Sequence, residues 1–295
     1  MGQPERLMLT LKVIALALLV VSAGVVLASA VYSSFFEPFT LSPSSTASAN
    51  SDTYNPQANY TLTITAGNCA INILPSPDNT LRADLNVTSS FFVKAFATID
   101  VSAANGTYEI KLGTPQYWGI NAIANIYIPS EILSRTVSVS GLNGAITADV
   151  PGSVNDISLE TTNGQITVRG SSVGNITTQE TNGNTYISVL SFRAITSSDV
   201  NGNVQLTVSN ASSSGSISLT TTNGNVNYYA NPASNLSISA STVNGAVSVS
   251  GITYSASANS LRQFVATVNG GGTSVVLSTV NGNVKIGSSL PVLNQ

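Results

Sequence analysis

The stretch TTNGQITV, from Thr161 to Val168, decides the predicted fold because close copies of it recur along the chain. In each copy an Asn-Gly pair stands between two short segments in which apolar residues alternate with Ser or Thr. An interval of about 20 residues between copies is typical of a solenoid, in which each repeat forms one coil. The repeated pairs are Asn143-Gly144, Asn163-Gly164, Asn182-Gly183, Asn201-Gly202, Asn223-Gly224, Asn244-Gly245 and Asn281-Gly282. A further pair at Asn269 breaks the interval and is left unassigned.

The flanking segments alternate with a period of two. Six residues before the corner Asn the position is apolar, and the next residue carries a hydroxyl group; the apolar residues are Val137, Ile157, Ile176, Ile195, Ile217 and Ile238. Apolar residues return three and five positions after the Asn. This alternation is typical of β-strands that bury one face. Each repeat therefore predicts a strand, an Asn-Gly corner and a second strand.

Two all-β architectures fit this unit. In an antiparallel meander each Asn-Gly would be a hairpin turn. In a parallel β-solenoid, similar to a β-helix, the corners would stack, with Asn and Gly adopting the left-handed conformation of a tight corner and the Asn side chains forming a ladder. We favour the solenoid, because stacked coils require like positions to repeat in register and hairpins do not. The repeats differ in length only in the connection opposite the corner, and this agrees with stacking of the corners.

The amino terminus predicts a membrane segment ahead of this β domain. Residues 13–31 are uncharged and mostly apolar, and Arg6 and Lys12 precede them. Their length suits either a transmembrane helix or a signal-peptide core cleaved after Ala30. The positive flank predicts that the remainder lies outside the cytoplasm. We therefore divide the chain into a short cytoplasmic segment 1–12, the helix 13–31, a Ser/Thr/Pro-rich linker 32–58, an amino-terminal β region 59–135, the Asn-Gly solenoid 136–287 and a tail 288–295.

The composition removes several classes of function. Charged residues make up 8% of the chain, the net charge is −3 and there is no His. A basic surface for nucleic acid is absent, and so is the commonest general base and metal ligand. The single cysteine, Cys69, allows no internal disulfide and reads as a small buried residue. We predict no cofactor and no metal. A surface with few carboxylates loses little stability when carboxylates are protonated in acid. The composition therefore favours an acidic external milieu.

Three further sets of residues are candidate sites. N-x-S/T sequons predict glycosylation at Asn59, Asn86, Asn105, Asn175, Asn210 and Asn235. Glu180 and Asp199 each stand two residues before a corner Asn in successive repeats, so stacking would bring the carboxylates together and raise one pKa. A glycosidase could use such a pair, but other repeats carry Gly or Thr there, and we interpret both acids as solvated corner residues. Tyr117-Trp118 and Tyr228-Tyr229 are candidate sugar-binding aromatics.

The segment ANIYIPSEILSRTVSVSGLNGAITADV, residues 124–150, resembles the first Asn-Gly unit of the toast-rack, or putative-adhesin, family. TITAGNCAINILPSPDNTLRADLNVTS, residues 63–89, is similar to the opening strands of that family. The resemblance covers about residues 60–287. It implies a β-solenoid on the outer face of a membrane, offers no catalytic residues and connects only loosely to adhesion.

We therefore expect a non-catalytic, adhesin-like or structural envelope protein, anchored in the cell membrane by a single helix, or secreted if cleaved. Surface glycans or envelope proteins are the expected partners. An extracytoplasmic sensor of envelope stress is the alternative, and a carbohydrate-active enzyme is a third.

Overall fold

The computed structural model describes residues 45–56, 60–89, 95–114, 120–130, 136–210 and 214–288. These residues form β-strands, turns and irregular segments without a helix, so the all-β prediction is confirmed. The strands are β1 Ser45–Asn50, β2 Thr61–Asn68, β3 Ala70–Pro75, β4 Arg82–Ser89, β5 Thr98–Ala104, β6 Thr107–Gly113, β7 Ile120–Ile128, β8 Thr136–Asn143, β9 Ile146–Asn163, β10 Ile166–Asn182, β11 Thr185–Asn201, β12 Val204–Val208, β13 Ser216–Asn223, β14 Val226–Ala230, β15 Leu236–Asn244, β16 Val247–Val249, β17 Ser255–Asn259, β18 Gln263–Val268, β19 Thr273–Asn281 and β20 Val284–Ser288.

Parallel pairing stacks the repeats. The strand segments that run into the corners form one face, called here the upstream sheet, in the order β6, β2, β8, the second halves of β9, β10 and β11, then β13, β19 and β15. The segments that leave the corners form the downstream sheet, in the order β7, β3, the first halves of β9, β10 and β11, then β12, β14, β20 and β16. Each coil therefore contributes one strand to each sheet.

Apolar columns fill the space between the two sheets. In the upstream sheet the position six residues before the corner is buried in every Asn-Gly coil, by Val137, Ile157, Ile176, Ile195, Ile217, Val275 and Ile238. The residues between these apolar positions face outward, because successive side chains of a strand point to opposite faces. Burial of such columns is the main stabilising contribution, at about 25 cal/mol per Å² of apolar surface.

The coil order departs from the chain order at the carboxyl end. β19 pairs with β13 on one side and with β15 on the other, so the Asn281 coil lies between the Asn223 and Asn244 coils. After β16 the chain forms β17 and β18, and β18 covers the outer edge of β15 in antiparallel fashion. Asn269, Gly270 and Gly271, all with positive φ, then turn the chain back to β19. Asn269-Gly270 is thus a reversal at the end of the solenoid and not a stacked corner.

The amino-terminal region differs from its prediction in two respects. Ser45–Asn50 lie in strand β1, paired antiparallel with β4, and not in a linker. β1 is an edge strand, and its Ser and Ala side chains are short. Such a strand is held by its backbone pairing with β4 more than by a buried face. β2 and β3 form a complete coil, since Asn68 is in register with Asn143. The sequence concealed this coil because Cys69 stands where the other corners have Gly.

The predicted helix at residues 13–31 and the tail from residue 289 lie outside the described residues. Among the residues that the structure does describe, no helix is long and apolar enough to cross a membrane.

Candidate functional site

The corner asparagines form one continuous column of side-chain hydrogen bonds. In each pair the amide nitrogen of one coil donates to the amide oxygen of the coil before it, at 2.6 to 2.9 Å. The order of the column is Asn68, Asn143, Asn163, Asn182, Asn201, Asn223, Asn281 and Asn244. Because the carboxamide both donates and accepts, one residue type can continue such a ladder indefinitely.

A second ladder runs beside the first and was missed in the sequence. Asn184 Oδ1 accepts both the backbone N–H and the side-chain N–H of Asn203, at 2.9 and 3.0 Å. Asn203 receives the same two bonds from Asn225, and Asn283 continues the series. The signal was available as the recurrent tripeptide Asn-Gly-Asn.

The corner glycines are required by close packing. Apart from Gly144, none of the corner residues in the described chain has a positive φ. The prediction of left-handed corners is therefore wrong. A β-carbon at Gly164, Gly183 or Gly202 would instead overlap the carbonyl oxygen of the glycine one coil away. Stacked corners approach so closely that only hydrogen fits at this position.

Two residues before the corner Asn, the side chains point into the core. Threonine is the usual residue there, and its hydroxyl group donates to the glycine carbonyl of the neighbouring corner. The bonds are Thr161 to Gly144 at 3.3 Å, Thr221 to Gly202 at 2.9 Å, Thr279 to Gly224 at 2.8 Å and Thr242 to Gly282 at 2.8 Å. In these four coils the threonine therefore closes the core beneath the corner with its own hydroxyl group hydrogen-bonded.

Glu180 and Asp199 occupy the same inward column in two successive coils, and the structure pairs them in register. They are 2% and 3% exposed, so their interpretation as solvated corner residues is wrong. Both have the same parity in the strand as the buried Ile176 and Ile195, and this parity was the signal that placed them inside. The alternation of inward and outward side chains continues up to the corner.

Hydroxyl groups surround the two acids. Thr185 donates to Asp199 Oδ1 at 3.2 Å, Ser197 lies 3.5 Å from the same oxygen, and Thr178 donates to Ser197 at 2.9 Å. Asp199 Oδ2 and both carboxylate oxygens of Glu180 are buried without a hydrogen-bond partner of normal geometry. These five side chains are called here the inner polar cluster. In neighbouring coils the positions of Thr178, Ser197 and Thr185 are apolar, and the positions of the two acids carry threonine.

Burial dominates the acid–base behaviour of the pair. Burial, followed by the neighbouring charge of Asp199, raises the pKa of Glu180 to about 7, and the nearby backbone N–H groups of Asn182, Gly183 and Gly164 act in the opposite direction. Burial raises the pKa of Asp199 to about 7 against the lowering effect of Thr185 and Ser197. Both carboxyl groups are therefore neutral in acid, since burial disfavours the charged form.

A shallow groove lies on the outer face of the downstream sheet. It encloses about 240 Å³, and its outward-facing side chains include Gln165, Arg169, Tyr186, Gln205 and Thr207. Arg169 also lies 3.6 Å from Asp149 on the same face. The groove thus combines one aromatic ring with amide, hydroxyl and guanidinium groups.

The predicted aromatic platform is only partly present. Tyr228 points into the core and is fully buried, whereas Tyr229 faces outward beside Lys285. The two residues alternate because they are neighbours in strand β14. Tyr117-Trp118 lies outside the described residues. Tyr186, which forms the aromatic part of the groove, was not singled out from the sequence.

The profile of the family described as Toastrack DUF4097 matches residues 45–287. The chain belongs to the toast-rack family. A comparison of this toast-rack protein with curated proteins gives no match.

Solved structures resemble this toast-rack protein at low identity. One, a "putative cell adhesion protein" from Clostridium sporogenes ATCC 15579, aligns at 13% identity with a TM-score of 0.34, covering 82% of this chain and 99% of the other. A second, a "putative adhesin" from Bacteroides fragilis NCTC 9343, aligns at 12% identity with a TM-score of 0.35, covering 81% of this chain and 96% of the other.

The sequons of the toast-rack domain differ in their surroundings. Asn86, Asn105, Asn210 and Asn235 are exposed. Asn175 is half-buried, and its side-chain amide donates to Asp156 at 2.6 Å. Asn59 lies outside the described residues. A free, exposed carboxamide is needed for glycosylation, so Asn175 is the least suitable of the described sequons.

In the part of the chain that the structure describes, no three His, Cys, Asp or Glu side chains gather in a group that could hold a metal ion. Cys69 is a buried free thiol at the first corner, and its burial raises its pKa to about 11.

Proposed function

We propose that this toast-rack protein is a non-catalytic, adhesin-like or structural protein of the cell surface, whose solenoid binds neutral glycans. The groove in the downstream sheet is the observation that carries the proposal. The solenoid would supply a rigid body, since its corners are connected by hydrogen bonds from coil to coil.

The chemistry of the groove fits an uncharged sugar. A tyrosine ring such as that of Tyr186 offers an apolar face to the C–H groups of a pyranose, with its hydroxyl group free to bond. Gln165 and Gln205 carry amides that both donate and accept, as sugar hydroxyl groups require. At about 240 Å³ the groove is smaller than the ~300–1,000 Å³ pockets that enclose drug-sized ligands. A shallow site of this kind suits contact with a polymer lying on the surface.

The position of the two acids supports a role without catalysis. A glycosidase needs both carboxyl groups in contact with the scissile bond. Glu180 and Asp199 lie inside the core beneath the corners, where a sugar has no access. Hydrolysis by this pair is therefore not part of the proposal.

The proposal includes a location outside the cytoplasm. The uncharged residues 13–31, preceded by Arg6 and Lys12, support a single membrane-spanning helix with the carboxyl-terminal domain outside. Mass spectrometry of the amino terminus of the native protein tests this part. A terminus upstream of Val13 supports an anchored protein, whereas a terminus at Val31 supports secretion.

A glycan array with the full-length protein in neutral detergent tests the binding function. We expect Tyr186→Ala and Gln205→Ala each to weaken binding at least about fivefold, as loss of a central contact does. Gln179→Ala is the matched control, because Gln179 is an exposed amide on the upstream sheet. Binding that survives both groove substitutions, or that falls equally in Gln179→Ala, would contradict the proposed site.

A further inference from the structure

In the inward column beneath the corners, Glu180 and Asp199 replace the threonine that other coils have. In four coils a threonine hydroxyl group donates a hydrogen bond to the glycine carbonyl of the adjoining corner. The equivalent carbonyls for Glu180 and Asp199 are those of Gly164 and Gly183. An ionised carboxylate has no hydrogen to donate to these carbonyl oxygens, although the nearby backbone N–H groups of Asn182, Gly183 and Gly164 favour the ionised form of Glu180. A protonated carboxyl group has the donor that threonine supplies elsewhere.

The two acids stand next to each other at the centre of the stack. Their coils are the fourth and fifth of the eight corners, and their strands pair in register. Backbones of paired strands are ~4.7–4.9 Å apart. Two negative charges buried on adjacent strands repel strongly, because the core screens charge poorly.

Nothing that faces the pair in the described structure supplies a positive charge. On the upstream sheet the inward neighbours in the same column are Thr161 and Thr221, and within the two strands they are Thr178 and Ser197. From the downstream sheet Thr185 faces Asp199. These groups do not titrate near neutral pH. The other charged residues of these two strands, Arg169 on β10 and Arg193 on β11, are exposed on the outer surface, and so is Glu160 on the neighbouring β9.

We propose that Glu180 and Asp199 are proton-binding groups of the folded state, and that as neutral carboxylic acids they hold the two central coils together. The protein is then most stable in acid and loses stability as the pH rises to neutral and above. The proposal rests on the inner polar cluster and is independent of glycan binding at the groove.

The direction of the pH effect follows from linkage. In the unfolded chain the two acids titrate at their ordinary pKa values of 4.5 and 3.8, whereas in the folded protein both titrate at about 7. Between these values the folded state binds more protons than the unfolded state. The stabilisation that the two acids contribute is therefore fully present below about pH 4, and it is lost as the pH rises through 7. Ordinary acid denaturation runs in the opposite direction.

Thermal unfolding of the full-length protein in neutral detergent, measured from pH 4 to 9, tests the proposal. We expect the folding equilibrium constant to decrease by about tenfold or more across this range. Glu180→Gln with Asp199→Asn reproduces the neutral pair and should make the midpoint nearly independent of pH. Glu160→Gln is the matched control, because Glu160 is an exposed acid whose register partner one coil away is Gln179. It should retain the wild-type pH dependence.

Infrared spectroscopy supplies a readout that does not depend on stability. The folded protein at pH 5 should show the band of protonated carboxyl groups, and the double variant should lose it. A wild-type midpoint that is constant or rises with pH would overturn the proposal, as would an unchanged slope in the double variant. Ca²⁺ gives a further outcome that would overturn the proposal. If Ca²⁺ at pH 8 restored the thermal midpoint measured in acid, and the infrared band were absent at pH 5, the cluster would bind a cation and not protons. Loss of glycan binding in Tyr186→Ala has no bearing on these outcomes.

Discussion

At the scale of single residues, the corner is a site where two requirements meet. The asparagine must donate to one neighbouring coil and accept from the other, and the glycine must allow its backbone to touch the backbone of the next corner. Neither requirement is met by a chemically similar residue. Aspartate loses the donor, and alanine adds a methyl group where there is no space.

Asn182→Asp should lower the free energy of unfolding by about 0.5–1.5 kcal/mol at pH 7. The new carboxylate cannot donate to Asn163 Oδ1, to which Asn182 donates at 2.9 Å, and one hydrogen bond contributes about this much to net stability. Urea unfolding gives the comparison. Asn227→Asp makes the same chemical change on the outer face of β14 and should have little effect. Equal effects of the two substitutions would mean that added charge, and not the column, is responsible.

Gly183→Ala should destabilise the fold by about 1–3 kcal/mol, the usual range for overpacking. The added β-carbon overlaps the carbonyl oxygen of Gly164, which is part of a backbone fixed by its own pairing. Gly141→Ala is the control, because its β-carbon would meet nothing closer than 3.8 Å. Thermal midpoints of the two variants should differ clearly, and a Gly183→Ala midpoint equal to that of wild type would contradict the packing argument.

At the scale of strands, the carboxyl-terminal end is assembled out of chain order. β19 and β20 insert between strands that precede them in the sequence, so the Asn223 and Asn244 coils do not touch in the upstream sheet. The strands β19 and β20 therefore occupy a position inside the stack and not at its end. β18 and β17 remain outside it and cover the edge of β15.

Amide hydrogen exchange should distinguish these two kinds of strand. We expect the amides of β19 to be as protected as those of β13, because β19 has a paired strand on each side. The amides of β17 should exchange much faster, since β17 is exposed and is paired on one side, with β18. Protection follows local stability, which is lowest at edges. Slow exchange in β17 together with fast exchange in β19 would argue for coils stacked in chain order.

At the scale of the whole molecule, ion pairs contribute little to the stability of the described domain. The ion pairs among the described residues are Lys111–Glu109 and Arg169–Asp149, and both are exposed. Exposed pairs of this kind contribute about 0–1 kcal/mol each. Packing of the apolar columns and the ladders of asparagine therefore carry the stability.

The thermal midpoint should accordingly be almost independent of ionic strength. Between low salt and about 1 M NaCl we expect a shift below about 4 °C, the change that ~1 kcal/mol produces in a domain of this size. The measurement belongs at pH 5, where the buried pair is neutral. A larger fall in the midpoint with added salt would indicate surface electrostatics that the described ion pairs do not account for.

Much of the candidate site could be predicted from the spacing of residues. The alternation from Ile176 to Glu180 already gives each side chain its face, and Asn-Gly-Asn already marks both ladders. The inward position of Glu180 was missed because a carboxylate next to a corner was interpreted as solvated. Tyr186 was missed because a groove is formed by neighbouring coils, and one strand does not reveal it.

The sequence by itself determined the strands, the corners and the facing of the columns, because these depend on a period of two and a repeat of about 20 residues, which are local properties of the chain. Only the tertiary structure decided that Asn68-Cys69 opens the column, that the Asn281 coil inserts before the Asn244 coil, and that Glu180 meets Asp199 without a counter-charge. These features depend on which distant strands pair, and pairing is set by the edges that remain open when the coils assemble.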